Sequence, residues 1–232
     1  MGMFTAKTRF ADMFSVNYNL VLLMPRLGIS LGFGDKSVQD VCKSYNLPVD
    51  FVLMVCNMYT FDTYKPTLEE IQSVNLSMLI PYLKSSHEYY LKERLPHIER
   101  HLAGVAKYTD ERCAKALVAF FAQYKKEIND HFEFEEKNIF PYLEDTISKN
   151  NKISPKTLKS ELSHDGFVDK ISDLLQILYK YMPSRANTEE LNELIFFLLQ
   201  LSADFQNHAS IEEHVLLPYI LNMERISHES KN

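Results

Sequence analysis

His131-Phe-Glu-Phe-Glu135-Glu136-Lys-Asn-Ile-Phe-Pro141-Tyr142 is echoed 77 residues later by His208-Ala-Ser-Ile-Glu212-Glu213-His-Val-Leu-Leu-Pro218-Tyr219. In each copy an imidazole and a carboxylate are four residues apart, so on a helix they share one face. Two more histidines, His87 and His164, carry the same offset of 77, each following a serine. Within each half the histidines are 44 residues apart. An internal repeat that conserves ligand-type residues at fixed spacing points to a site built from both halves.

The repeat extends to packing positions. One apolar face reads Leu117, Phe120, Phe121, Tyr124, Ile128, His131, Glu135, and its counterpart Leu194, Phe197, Leu198, Leu201, Phe205, His208, Glu212. Both follow helical periodicity. A stripe of Leu79/Ile80, Leu83, His87, Tyr90/Leu91 and Ile98 predicts a helix from Ser77 to Gly104, with a kink at Pro96. Leu158, Glu161, His164, Val168, Ile171, Leu175 and Leu178 predict another, capped by Ser154-Pro155 and closed by Pro183. The second helix is expected from Asp110 to Ile147, loosened at Pro141, and the fourth from the Asn187 cap. Residues 150–155 then form the loop between halves. The class is all-α, an antiparallel four-helix bundle preceded by a small N-terminal helical domain.

Residues 1–66 stand outside the repeat and form that first domain, 67–76 a linker, and 77–225 the bundle. The first dozen residues read as loose. Val16–Leu27 is a candidate helix, followed by a glycine-rich turn at Gly28, Gly32 and Gly34. Ser37 caps Val38–Tyr45, Pro48 opens a helix to about Tyr59, and Thr67-Leu-Glu-Glu70 is a capping box. Helix, short turn, helix is the outline of a DNA reader. The would-be recognition helix, however, has no Lys or Arg and one Asp, so a packing role is favoured over nucleic acid.

A formal charge of −6 agrees with that exclusion. No segment is apolar enough for a membrane span. Three scattered cysteines, Cys42, Cys56 and Cys113, with no CxxC, fit a reducing compartment, and a cytoplasmic location is expected.

His87, His131, Glu135, His164, His208 and Glu212 are the candidate metal ligands. All lie on apolar stripes, and bare carboxylates buried together would cost several kcal/mol or stay protonated. Two metal ions remove that penalty, with both glutamates able to bridge. The set is too large for one tetrahedral zinc. Mixed imidazole and carboxylate donors suit iron, and also manganese or zinc. His97, His101, His214 and His228 have no repeat partner and read as ordinary histidines. Glu136 and Glu213 read either as partners of ligands or as solvated charges.

The motifs His131-x-x-x-Glu135-Glu136…Phe140-Pro141 and His208-x-x-x-Glu212-Glu213…Leu217-Pro218 resemble hemerythrin-like di-iron proteins over residues 77–222. The resemblance implies two iron ions, oxo- and carboxylate-bridged, with O2 or nitric oxide as small-molecule ligands. The oxygen carriers have a further histidine and an aspartate where this chain has Val168 and Glu213. The set of four histidines and two glutamates, with Leu95-Pro96 after His87, is more similar to the branch that repairs iron centres. That implies a cytoplasmic role in restoring iron–sulfur clusters after nitrosative or oxidative damage, with damaged iron–sulfur proteins as partners. Arg26-Leu-Gly-Ile29…Lys36-Ser-Val…Cys42 resembles that branch's N-terminal domain, but its Cys-Cys pair is replaced by Gly32-Phe33. The alternative function is an O2- or nitric-oxide-sensing module signalling through the N-terminal domain. A nitric oxide reductase or peroxidase is a third option.

Overall fold

The computed structural model describes residues 2–141, 162, 164–183 and 188–229, and among them there is no β-strand. Two compact units emerge. The first comprises residues 2–86, 162 and 207–229, and the second 87–141, 164–183 and 188–206.

In the first unit, helix α3 (Val38–Tyr45) begins at Ser37, whose hydroxyl accepts the Asp40 N–H while Asp40 answers the Ser37 N–H. It stops at Asn46 in the left-handed region, φ 53°. Helix α4 (Val49–Thr60) follows Pro48 and buries eight of its residues, from Phe51 to Tyr59. A helix buried on so much of its circumference has no face to offer a DNA groove, as its lack of basic residues predicts. Helix α5 (Leu68–Ser73) opens with the expected Thr67–Glu70 capping box.

Two expectations for the N-terminus fail. The opening residues are not loose: Phe4, Phe10 and Met13 are buried, and Asn57 clamps Phe4 by accepting its N–H at 2.8 Å and donating to its carbonyl at 3.3 Å. Nor is Val16–Leu27 one helix. Helix α1 (Phe10–Val16) ends at Asn17, and a 3-10 turn (Tyr18–Leu22) leads into α2 (Leu23–Arg26). Asn17 causes the break: its Oδ1 accepts the Asn19 N–H and its Nδ2 donates to the Tyr59 carbonyl at 2.7 Å, both from an extended backbone. Behind α2, the buried Arg26 donates to the Tyr59 hydroxyl, which also accepts from Tyr82. Phe33 packs on Phe10 and Phe14, so packing occupies the place where the resemblance would have put a thiol. Cys42 and Cys56 are both buried; burial raises the Cys42 thiol to about 11 and the Cys56 thiol further still.

The second unit is a helix bundle. Its core takes Tyr90, Leu95, Ile98, Leu102 and Val105 from the first helical arm and Leu117, Phe121, Tyr124, Ile128 and Phe132 from the second. Ile171, Leu174, Leu175 and Leu178 come from the third, and Leu194, Leu198, Leu201 and Phe205 from the fourth. Each such side chain contributes about 1.5–3 kcal/mol by leaving water. The helices are α6 (Leu79–Tyr89) and α7 (Leu95–Ala106), α8 (Glu111–Phe134), α9 (Asp165–Tyr181), α10 (Thr188–Ile211) and α11 (Leu217–Glu229), of which α11 and most of α6 belong to the first unit. Gly104 does not end its helix. It lies buried inside α7, where a Cβ would overlap the Glu190 carboxylate of α10.

The expected kinks at Pro96 and Pro141 take a specific form. Three π-helical turns, Tyr90–Arg94, Glu135–Ile139 and Glu212–Leu216, each start six residues before a proline, Pro96, Pro141 and Pro218. In each, the residue before the proline donates to the carbonyl five residues back: Leu95 to Tyr90, Phe140 to Glu135, Leu217 to Glu212. A proline ring crowds the carbonyl four residues earlier, and the wider turn makes room for it. The expected loop at residues 150–155, the end of the second helix beyond Pro141, stripe positions Leu158 and Glu161, and the Asn187 cap lie outside the described residues.

Candidate metal centre

Helix α8 carries His131 in its last turn, and the π-turn that follows starts at Glu135. The four-residue spacing brings His131 Nε2 to 3.2 Å from Glu135 Oε1. The other oxygen, Oε2, lies 3.3 Å from Nε2 of His87, which α6 supplies. One carboxylate thus divides its two oxygens between two imidazoles. His164 completes the set in this unit, with its Nε2 2.9 Å from that of His131. Metal–nitrogen bonds of about 2.1 Å meeting near a right angle leave their nitrogens roughly 3 Å apart, so the spacing suits a shared ion. His131, Glu135 and His164 form one group whose ligand atoms all fall within 4.8 Å of one another.

In the first unit the second copy of the motif is built alike. His208 lies in the last turn of α10, Glu212 starts a π-turn, and His208 Nε2 lies 3.3 Å from Glu212 Oε1. The placement of both glutamates at the start of a π-turn is part of the repeat that the residue pattern alone does not display.

The candidate residues are deeply buried. His87 and His164 are 1% exposed, and Glu135, His208 and Glu212 are 0% exposed; the His131 side chain is 10% exposed. Burying carboxylates at this depth is costly without a compensating charge. A buried histidine and glutamate cluster of this kind fits a di-iron site.

Around His87 the structure adds residues that the ligand pattern did not reveal. Its ring stacks on Phe132 at 3.8 Å with 7° between planes, and on Phe140 at 5.5 Å. Phe132, four residues after Ile128, fits the helical period of α8 but is absent from the predicted stripe, and its contact with His87 has no sequence signal. Glu136, left open between two roles, bonds His87 Nδ1 through Oε1 at 2.9 Å. Glu213 is exposed.

His164 departs from its expected setting. The stripe predicts it within a helix like its repeat partner His87, but it occupies the N-cap of α9, with φ −106° and ψ 7°. The remaining histidines are ordinary where described. His97 and His101 pack on each other and on Phe197, and His214 Nδ1 lies 3.0 Å from the Ser210 carbonyl oxygen. Burial, with His101, Arg100 and Arg94 nearby, lowers the His97 pKa. The side chain of His228 lies outside the described residues. Among the described residues no helix is long and apolar enough to cross a membrane.

The family model of the Hemerythrin HHE cation binding domain matches residues 78–220. That span covers all six candidate ligands and both copies of the repeat. No curated protein matches the chain.

Proposed function

Because the chain belongs to the hemerythrin HHE cation-binding family, we propose that it holds two iron ions and serves the repair of iron–sulfur clusters damaged by nitric oxide or peroxide. In this reading His87, His131, Glu135, His164, His208 and Glu212 would hold the two ions, one of them on His131, Glu135 and His164. The two glutamates bridge, and residues 77–225 are the working module. The observation that carries the reading is the Glu135 carboxylate, which divides its oxygens between His131 and His87. Manganese or zinc would accept the same donors.

Bound there, iron would supply one-electron redox change and a coordination position open to O2 or nitric oxide. The protein's part is to hold six donors nearly out of water, so that exchange with solvent is slow and the bridging carboxylates stay ionised. Val168 and Glu213, where oxygen carriers have histidine and aspartate, direct the reading from transport toward repair. The buried, high-pKa Cys42 and Cys56 leave the metal site, rather than thiols, to do the chemistry, in cytoplasm as the cysteine usage implies.

Elemental analysis of the purified protein should give about two metals per chain, as expected for a bundle-core pair. The iron-loaded protein should then restore activity to a nitric-oxide-treated iron–sulfur enzyme in vitro, and Glu135→Gln should not. Failure of a two-iron protein to do so would reject repair while leaving the metal pair intact.

One observation favours a second reading, a gas sensor. The unit that contains the N-terminal helices also contains His208 and Glu212, and α11, which follows them, packs against α5. A ligand-dependent change at Glu212 would then be felt by the N-terminal helices. Partner binding that depends on nitric oxide or O2, without any restoration of the damaged enzyme, would select it.

A further inference from the structure

We propose that Glu136 is a positioning residue for His87 and that it makes the two metal positions unequal, one retentive and one exchangeable. This deepens the two-metal reading above and rests on it.

His87 is constrained from every side of its ring. Phe132 covers one face, stacked at 3.8 Å and nearly parallel, and Phe140 lies 5.5 Å away at 20°. Nε2 is directed at Glu135 Oε2, and Nδ1 is tied to Glu136 Oε1 at 2.9 Å. With Nδ1–H donating to Glu136, the Nε2 lone pair is left for the ion, and the adjacent negative charge makes that nitrogen the stronger donor. Rotating the ring out of the site would cost both the stacking and the charged hydrogen bond. Glu135 and Glu136 are successive residues at the start of the π-turn, so one widened turn presents a bridging carboxylate and a positioning carboxylate to the same imidazole.

The position served by His131 and His164 is held differently. The His131 side chain is 10% exposed, against 1% for His87, so water reaches this ligand where it does not reach the other. His131 meets Phe167 at an angle of 63°, with centroids 5.1 Å apart, rather than lying flat on a ring. His164 is carried by a non-helical cap residue, whereas His87 is fixed within a helix. The first ion to leave, and the last to enter, is therefore the one on His131 and His164. A protein that delivers one iron and keeps another has the asymmetry that this arrangement supplies.

The test is a chelator titration of the iron-loaded full-length protein. Retained metal is counted by elemental analysis, alongside apo-protein melting and circular dichroism. The wild type should release its two metals in two steps separated by at least tenfold in chelator concentration. Glu136→Ala should bring the second step down by about 10–100-fold, the usual effect of losing such a partner, and leave the first step in place. Glu136→Gln, which can still accept the hydrogen bond but carries no charge, should fall between. Apo-protein circular dichroism should be unchanged in both variants, and apo melting lowered by no more than one lost hydrogen bond, while the first release step stays in place; a merely structural role for Glu136 would move both steps together. Simultaneous release of both metals from the wild type, or an unmoved second step in Glu136→Ala, would overturn the proposal while leaving the metal pair standing. A wild type that binds one metal or fewer would overturn the pair and this inference together.

Discussion

The Nε2 atoms of His131 and His164 lie 2.9 Å apart, with their rings at 87° to each other. Two imidazole nitrogens approach this closely when a proton or a cation lies between them. His164→Ala removes a donor from this position alone. The variant should keep about one metal per chain where the wild type keeps about two. A variant that still holds two, by elemental analysis, would show that His164 is not a ligand.

Glu135→Gln should act in opposite directions with and without metal. Without metal, the native site holds a buried carboxylate, and neutralising it should stabilise the apo-protein by roughly 1–3 kcal/mol. With metal, the same change removes a bridging charge and should lower the melting temperature below that of the loaded wild type. Paired melting curves of apo and loaded protein measure both effects. A fall in both states would mean that Glu135 serves packing or hydrogen bonding rather than ligation.

The π-turns tie the prolines to the candidate ligands. Pro218 blocks an ordinary helical bond at its own position, and the widened turn starts at Glu212, six residues earlier. In Pro218→Ala the turn is free to close to α-helical register, which would swing the Glu212 carboxylate around the helix axis. Helix content by circular dichroism should stay the same or rise while metal retention falls at least tenfold. Unchanged retention would mean that the turn persists without the proline.

Asn57 fastens the N-terminal segment. It is 6% exposed and bonds both backbone polar groups of Phe4. Asn57→Ala would leave a buried N–H and carbonyl without this partner, at a cost of about 1–3 kcal/mol. Hydrogen exchange should quicken first at residues 2–8, ahead of any change in α8.

The ion pair between Glu127 of α8 and Lys170 of α9 gives a pH signature. Hydrogen bonds from Lys170 and Gln123 hold the Glu127 carboxyl below its ordinary value of 4.5. A folded-state pKa below the unfolded one contributes stability above the unfolded value and loses it as pH falls through the folded value. Both side chains are about a third exposed, so the contribution is at most about 1 kcal/mol. Glu127→Gln should therefore melt slightly lower than the wild type at pH 7, and the gap should close below about pH 4. A gap that persists at pH 3 would assign the loss to packing.

Much of this protein is legible in its sequence because the same offset recurs at residues of different kinds. Ligand-type residues and apolar stripe positions share one 77-residue period, which fixes helix faces from residue order alone. Local signals were equally readable where a side chain bonds its own turn, as at Ser37 and Thr67. Asn17, by contrast, breaks a helix partly through the distant Tyr59 carbonyl, a partner 42 residues away that no local pattern reports.

By itself, then, the sequence determined the all-α class, the faces that converge, and the identity of the candidate donors, because periodicity and residue chemistry are local properties. Tertiary structure alone decided how the donors are held. It made Glu135 a carboxylate divided between two imidazoles, laid His87 flat on Phe132 and tied it to Glu136, and put His164 on a cap rather than inside a helix. Those facts depend on where separate helices meet, and on the extra width that a proline six residues downstream imposes on a turn.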